Sequence, residues 1–503
     1  MAYDDDHTLL DDGGDETTKP TRPALNIVIL GASFAGLAAA HGYLTKIMEE
    51  LGKTRSAPRY KLILVGPSTC LFWNIGAPRA IVHDKQLPLD DVFVPFLPLF
   101  EEYPSTRFEF IQGIATGVNF ESRTVVVDEI DRGKLRLSTS TPYEKKRPEI
   151  LTQRLIRFHS LVIATGTSAG SELLSLHGPH ERTISEIRAN HKRLAAADAI
   201  VIAGGGCSGC EIAGQVATWL NRGKKEKPLD QPLVKSKAAG EKDDINGSDQ
   251  VEKQGAGIWS LFGRKTKSSE EDPNQWRKTI ILLTQHDRLL PKLKPSYGKK
   301  ADAKLRKLGV TVLYNHRMTK AERLDSGREK IFFANENQPD FTCDVFIDAT
   351  GVWPNTSFMP KEMLTASGYI DADPKSLRVP NLHRVYAVGD CASHSKNSIA
   401  DVYDSMPILL GNLKNDLLEW EIQMEHPHGG EGAEMKLSSL ETYEYVQNQT
   451  DSQLMPISRF GGVGIIFGHP LPSLMVYLMK GRDYRKGRAK LAAGIGKDPY
   501  AVI

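Results

Sequence analysis

Two short stretches of this chain carry residue types and spacings that suit a dinucleotide pyrophosphate. In AIVIAGGGCSGCEIA, an apolar run over residues 200–203 is followed by Gly204, Gly206 and Gly209, and residues 210–220 read as a helix of small residues. The first glycine permits a tight turn, the second admits phosphates to the backbone, and the third lets helix pack against strand. The helix N-terminus adds free N–H groups and a partial positive charge. Nearer the start, a strand over 26–30 runs into Gly31-Ala32-Ser33-Phe34-Ala35-Gly36 and a helix over 37–51. Ser33 stands where the second glycine is usual, and its hydroxyl can donate to a phosphate. An ordinary strand–turn–helix has the same pattern, so repetition within one chain is what favours two nucleotide sites.

Other residues could complete such sites. The strand over 60–65 ends at Gly66, where an acid commonly holds an adenosine ribose. Arg79, within NIGAPRA, is a cation able to face a pyrophosphate or a flavin edge, or else a solvated surface arginine. After the strand over 279–284, Gln285 takes the place of the acid that would hold the NADH ribose. His286 and Arg288 could face the 2′-phosphate of NADPH. Asp390 ends VYAVGD and puts a carboxylate at the sheet edge where ligands of open α/β sheets lie, able to accept from ribityl hydroxyls. A helix over 402–418 would aim its N-terminus at a flavin pyrimidine ring. Cys207 and Cys210 form CxxC inside the phosphate turn, far from any flavin. Cys391 reads as packing, and Cys70 lies nearer the expected flavin region without an assigned role.

These residues need two α/β units to position them. Strands over 161–164 and 345–348 each close in Ala-Thr-Gly, which suits paired crossings between a first domain and an inserted second one. The expected division is an acidic, disordered tail (1–24), the first part of an outer dinucleotide-binding domain (25–175), an inserted second dinucleotide-binding domain (176–344), the second part of the outer domain (345–422) and a C-terminal α+β segment (423–503). Strands over 108–120 and 124–127 read as a small added hairpin. Residues 222–275 are rich in Lys, Glu, Asp, Ser and Gly without periodicity and read as a disordered insertion, with an apolar island at 258–262. In the tail, an apolar run over 473–479 precedes Lys480, Arg482, Arg485, Lys486, Arg488 and Lys490. That pattern fits either a peripheral membrane contact or a helix packed on the body with a solvated end.

Composition narrows the class. The 503 residues carry a formal net charge of +2, which implies no nucleic-acid partner, and a 40% hydrophobic content suits a sizeable core. The 5 cysteines are scattered and odd in number, unlike a secreted disulfide scaffold. No run approaches the ~18 apolar residues of a membrane-spanning helix. Asp4, Asp5, Asp6, Asp11, Asp12, Asp15 and Glu16 are unlike a mitochondrial transit peptide. A cytoplasmic protein is expected; no metal site is assigned and the oligomeric state is left open.

Taken in order, GASFAG, a strand ending in ATG, GGGCSGCE, and a second ATG followed by VYAVGDCA resemble the pyridine-nucleotide-dependent flavoprotein reductases with two dinucleotide-binding domains. Within these the likeness is to the apoptosis-inducing-factor-like and ferroptosis-suppressor-like flavoproteins, and it extends to NIGAPRA and to the tail segments GGVG and LMVYLMKGRD. The resemblance implies a glutathione-reductase-like architecture, with two Rossmann-like domains, the NAD(P) domain inserted in the FAD domain. It implies FAD contacts at Gly31, Ala32, Ser33, Phe34, Ala35, Gly36, Arg79, Ala115 and Asp390. It implies nicotinamide-nucleotide contacts at Gly204, Gly206 and Gly209, and matches Glu211 to a family glutamate near the nicotinamide. Lys396 lies where some relatives have a catalytic lysine. The family's N-terminal myristoylation is not carried over, because Ala2 stands where glycine is required.

The activity implied is an FAD-dependent NAD(P)H oxidoreductase acting on a quinone-like or other small acceptor. The disulfide-reductase variant needs a cysteine pair just after the first glycine turn, and residues 37–51 contain none. A reductase or oxidase for a dedicated metabolite, and a slowly turning redox-sensing flavoprotein, use the same cofactors.

Overall fold

The computed structural model describes residues 24–53, 58–130, 150–224 and 277–500. The expected acidic tail lies outside the described residues but for residue 24. The expected insertion, with its apolar island at 258–262, lies outside them but for residues 222–224.

Four near-continuous apolar runs, residues 25–30, 60–66, 160–163 and 385–387, build one side of a seven-stranded sheet. Its strands are β1 (Leu25–Leu30), β2 (Tyr60–Gly66), β3 (Phe108–Asn119), β4 (Thr124–Ile130), β5 (Ile150–Arg157), β6 (Ser160–Ile163) and a C-terminal strand, Val385–Ala387, in the order Val385–Ala387, β6, β1, β2, β3, β4, β5. From Val385–Ala387 to the first half of β3 all pairs are parallel; β3, β4 and β5 then run antiparallel. The hairpin expected from the sequence is thus a three-stranded meander. Strands covered on both faces read as unbroken apolar runs. On β1, Ile27 and Ile29 enter one core while Val28 and Leu30 enter another. Each is fully buried, so Ile27→Ala alone should cost about 2–5 kcal/mol.

The second sheet is smaller and wholly parallel. It comprises β7 (Ala199–Ala203), β8 (Thr279–Leu283), β9 (Val310–Leu313) and β10 (Val345–Asp348), in the order β9-β8-β7-β10. The alternation recurs: Ile200 and Ile202 join the large core, and Val201 and Ala203 a separate one. The two halves are stitched where the chain crosses between them. Residues Thr167–Ala169, just past the first ATG, pair antiparallel with Val352–Pro354, just past the second. Asn355 reinforces the crossing through its backbone N–H to Gly166 O and its Nδ2 to Thr165 O, each at 3.0 Å.

Three helices place the functional ends. Helix α1 (Phe34–Gly42) starts three residues earlier than its apolar run suggests, directly after Ser33, and continues into a π-helical turn, Tyr43–Ile47. All nine α1 residues are buried, as expected of a helix without a polar face. Helix α2 (Cys207–Leu220) follows the second glycine turn. Helix α3 (Ile399–Glu425) is capped by Ser398, whose side chain accepts from the Asp401 N–H. Strand β11 (Val385–Ala387) precedes α3 in the chain. The C-terminal segment forms a three-stranded antiparallel sheet, β12 (Gln453–Ser458), β13 (Gly461–Ile466) and β14 (His469–Leu471), then a helical stretch, Ser473–Val476, running into a π turn, Tyr477–Gly481. This sheet lies against α2 at Gly214, where a Cβ would come within 1.8 Å of Ile457 O.

Candidate functional site

The two glycine turns have the same construction. Gly31 has φ +109° and Gly204 φ +121°, and a Cβ on either would sit 2.1 Å from a carbonyl oxygen, of Ala164 and Ala349 respectively. Each turn is thus pressed against the ATG end of the neighbouring strand, which only glycine allows. A Cβ at Gly36 or Gly209 would reach within 1.7 or 1.8 Å of the carbonyl of Gly31 or Gly204, so these glycines let each helix close on its own turn.

The middle position of each turn faces open space. Gly206 has nothing within 4 Å of a built Cβ. Its counterpart Ser33 is exposed and makes no capping hydrogen bond with its side chain. Neither helix carries an acid in its first turn. Each helix start is therefore a cradle of unpaired N–H groups without a competing carboxylate, which fits a pyrophosphate.

The strand ends beside these cradles lack the ribose acid. Gly66 closes β2, and a Cβ there would lie 2.6 Å from Ala32 Cβ, so no carboxylate fits at that position. In the second half the equivalent residue is Thr284 rather than the expected Gln285. Strand β8 ends at Leu283, whose carbonyl accepts from Gly204 N as that of Val65 accepts from Gly31 N. Thr284 is buried against Gly205, and its Oγ1 accepts from the His286 N–H at 3.2 Å. Gln285 and His286 are exposed, and Arg288 is half-buried with NH2 donating to Pro291 O at 2.8 Å.

Asp390 lies in the short turn Gly389–Cys391 that ends β11. Gly389 has φ +74°, and a Cβ there would be 3.0 Å from Ala35 Cβ, so this turn rests on the start of α1. Burial pushes the Asp390 carboxyl up to about 6, and Asp401 adds repulsion; the Ser395 and Thr167 hydroxyls offset part of this. Ala115 lies on β3 beyond the parallel pairing with β2, opposite Val127 of β4.

A different group occupies the meeting point of α2 with the C-terminal segment. Glu211 is buried, and its Oε1 accepts from Lys480 Nζ at 2.8 Å; the same ammonium donates to Leu454 O at 3.0 Å. Burial raises the Glu211 carboxyl, and Lys480 draws it back. Burial lowers the Lys480 ammonium, and Glu211 more than restores it. The Tyr484 ring sits between two cations, 4.5 Å from Arg79 Cζ and 5.5 Å from Lys480 Nζ. Glu211 Oε2 and the Tyr484 hydroxyl are both buried and face each other without a well-formed hydrogen bond, and the phenol helps draw the carboxyl down.

Arg79 itself is a buried junction residue. It donates to Gln215 Oε1 at 3.1 Å, Arg482 O at 3.1 Å and Gly481 O at 2.6 Å, which ties NIGAPRA to α2 and to the C-terminal segment. Lys396 lies elsewhere, exposed at the loop before α3, with its ammonium on Asn448 O and its backbone N–H on Asp401 Oδ2. The lysine against Glu211 is Lys480, in the LMVYLMKGRD segment, 269 positions away in sequence. Lys480, Tyr484 and Gln215 were not singled out by spacing; the only sequence signal was the apolar-then-basic tail that contains the first two.

All five cysteines are free thiols. Cys207 donates to Gln453 Oε1 at 2.9 Å, and burial pushes its thiol up to about 11. Cys210 is driven well above the usual thiol range, first by burial and then by Cys207. Neither has the thiolate character of a reactive cysteine.

Residues 25–407 match the pyridine nucleotide-disulphide oxidoreductase family. The chain belongs to this family. It is 31% identical over 465 residues to "Oxidoreductase phnG" of Penicillium herquei, covering 91% of this chain and 93% of that one. It is 24% identical over 460 residues to "Oxidoreductase ptaL" of Pestalotiopsis fici. Its fold is similar to that of NDH2 from Plasmodium falciparum solved in complex with NADH, with a TM-score of 0.54 at 13% identity, covering 94% of this chain and 97% of that one. As a pyridine nucleotide-disulphide oxidoreductase, the chain is an NAD(P)H-dependent flavoprotein that uses FAD, and its two cradles suit these two dinucleotides. Among the described residues no helix is long and apolar enough to cross a membrane.

Proposed function

We propose that this oxidoreductase carries electrons from NADPH through FAD to a small quinone-like acceptor, with no thiol relay. The carrying observation is the sealed Glu211–Lys480 pair at the join of α2 and the C-terminal segment, in a chain whose α1 and following π turn hold no cysteine. FAD supplies hydride acceptance from a reduced nicotinamide and electron delivery to a second substrate.

The residues do the remaining work. The α1 start, with Ser33, holds the FAD pyrophosphate, and Asp390 accepts from ribityl hydroxyls. The α2 start, with Gly206, holds the nucleotide pyrophosphate. Glu211, paired with Lys480, fixes α2 to the C-terminal segment and so shapes the wall of the nicotinamide end. Lys480 favours the ionised form of that carboxylate and closes the join between α2 and the C-terminal segment. Position and field, rather than a reactive side chain, are what the protein contributes. Preference for NADPH follows from Thr284, Gln285, His286 and Arg288: no carboxylate stands at the strand end, and two basic side chains can approach a 2′-phosphate. The sequence motifs that resemble the apoptosis-inducing-factor-like group support the same reading.

The test is an acceptor panel on FAD-loaded protein. Turnover with NADPH and a short-chain quinone, above the oxygen rate, is the expected result. Flavin that NADPH reduces but no quinone reoxidises would favour a dedicated metabolite as acceptor instead.

A further inference from the structure

The helical stretch that carries Lys480 inward also presents an apolar ridge outward. Leu474, Met475 and Leu478 are 62%, 41% and 49% exposed, while Val476 between them is fully buried. Phe460, at the β12–β13 turn, is 68% exposed and continues this ridge. The two are adjacent because a Cβ on Gly461 would lie 2.2 Å from Ser473 Oγ, at the start of the helical stretch. An apolar cluster of this kind, rather than single exposed residues, marks an interaction surface.

Its rim is basic. Arg222 Cζ lies 6.0 Å from the Phe460 ring, Arg459 precedes that ring, and Lys304 Nζ donates to Ser473 Oγ at 3.0 Å. Nearby carboxylates are already engaged: Asp483 by Arg482, and Asp302 by Arg306 and Tyr314. From residue 456 to residue 500 there are eight Lys or Arg and two Asp; Lys480 is buried on Glu211, Lys486 is paired with Asp91 and Arg482 with Asp483, so only part of that positive charge is available to this face.

We propose that this face docks on an anionic lipid bilayer, with Phe460, Leu474 and Leu478 entering the headgroup boundary and Arg222, Lys304 and Arg459 meeting the lipid charges. Exposed apolar side chains framed by cations have the chemistry of a membrane surface site. Leu478 is two residues from Lys480, so a lipid-dissolved acceptor would arrive at the wall of the nicotinamide end. That purpose rests on the quinone-like acceptor proposed above; the docking geometry does not.

The experiment is flotation of the FAD-loaded full chain with vesicles of phosphatidylcholine alone or doped with phosphatidylserine. The chain should float with the phosphatidylserine vesicles, be released by raised salt, and bind the neutral ones weakly. Phe460→Ser/Leu474→Ser/Leu478→Ser should lower partitioning by at least about tenfold while keeping flavin content and the rate with a water-soluble quinone. Wild-type protein that stays at the bottom with both vesicles, or a variant that floats equally well, overturns the proposal. So does a wild-type dimer in sedimentation equilibrium that the three substitutions split, since a second copy would then cover the face. Failure of the soluble-quinone assay in wild type would instead remove the acceptor reading and leave flotation readable.

Discussion

Replacing Lys480 by methionine keeps the length of the side chain and removes the cation bonded to Glu211. The two side chains are 12% and 4% exposed and 2.8 Å apart. A carboxylate left unpaired at such a site costs about 3–5 kcal/mol when it stays ionised. The structure also gives the direction with pH. Burial already raises Glu211 above its ordinary value, and loss of Lys480 raises it further in the folded state. A carboxyl whose folded value exceeds its unfolded one binds more protons folded, so its stability contribution is fully present below the unfolded value and is lost as pH rises through the folded one. K480M should therefore show its largest deficit near pH 8, and the deficit should shrink toward pH 5. Glu211→Gln/Lys480→Met should recover much of the loss, because no buried charge remains to be compensated. Thermal melting of FAD-loaded wild type, both singles and the double across that pH range measures this. A K480M protein as stable as wild type at pH 8, or a deficit that grows toward acid, would refute the reasoning.

Three further outcomes follow from other parts of the site. Asp390 titrates near pH 6 in the free protein, and ribityl donors favour the carboxylate. FAD affinity should then fall by up to about tenfold per pH unit below that value, whereas Asp390→Asn should bind FAD more weakly at pH 8 and lose the pH dependence, as read by fluorescence of released flavin. Gly206→Ala meets no atom and should fold normally yet bind NADPH more weakly; Gly204→Ala strikes Ala349 O and should destabilise the nicotinamide half, which limited proteolysis would show. His286→Ala/Arg288→Ala should raise KM for NADPH by roughly tenfold or more and leave KM for NADH nearly unchanged.

What was legible in the sequence was local. The runs over 26–30 and 200–203 are apolar on both faces, and that alone places them inside sheets covered on both sides. The glycine turns announce themselves because positive φ and close carbonyl contacts exclude other residues. Two errors were also local. Ser33, rather than the later apolar residues, precedes the start of α1, and the ribose-facing position falls at Thr284 rather than at Gln285 because β8 ends at Leu283. Strand β5 carries little sequence signal because its polar positions obscure the alternation.

The heart of the candidate site was not legible, for a topological reason. Glu211 and Lys480 are brought together only when the β12–β14 sheet packs on α2 through Gly214, a contact between distant parts of the chain. Arg79 shows the same limit: its type suggested an anion, whereas in the fold it accepts a buried place by giving its N–H groups to Gln215 and to two carbonyls of the tail. Charge and spacing could nominate these side chains, but not pair them.

The central claim is that electrons pass from nicotinamide to flavin to acceptor without thiols. Stopped-flow reduction of the FAD-loaded Cys207→Ser/Cys210→Ser protein by NADPH under anaerobic conditions, followed by mixing with a short-chain quinone, addresses it most directly. The account predicts flavin bleaching and reoxidation at close to the wild-type rates, with NADPH the better donor. Bleaching without reoxidation in this variant, while wild type completes both steps, would contradict it.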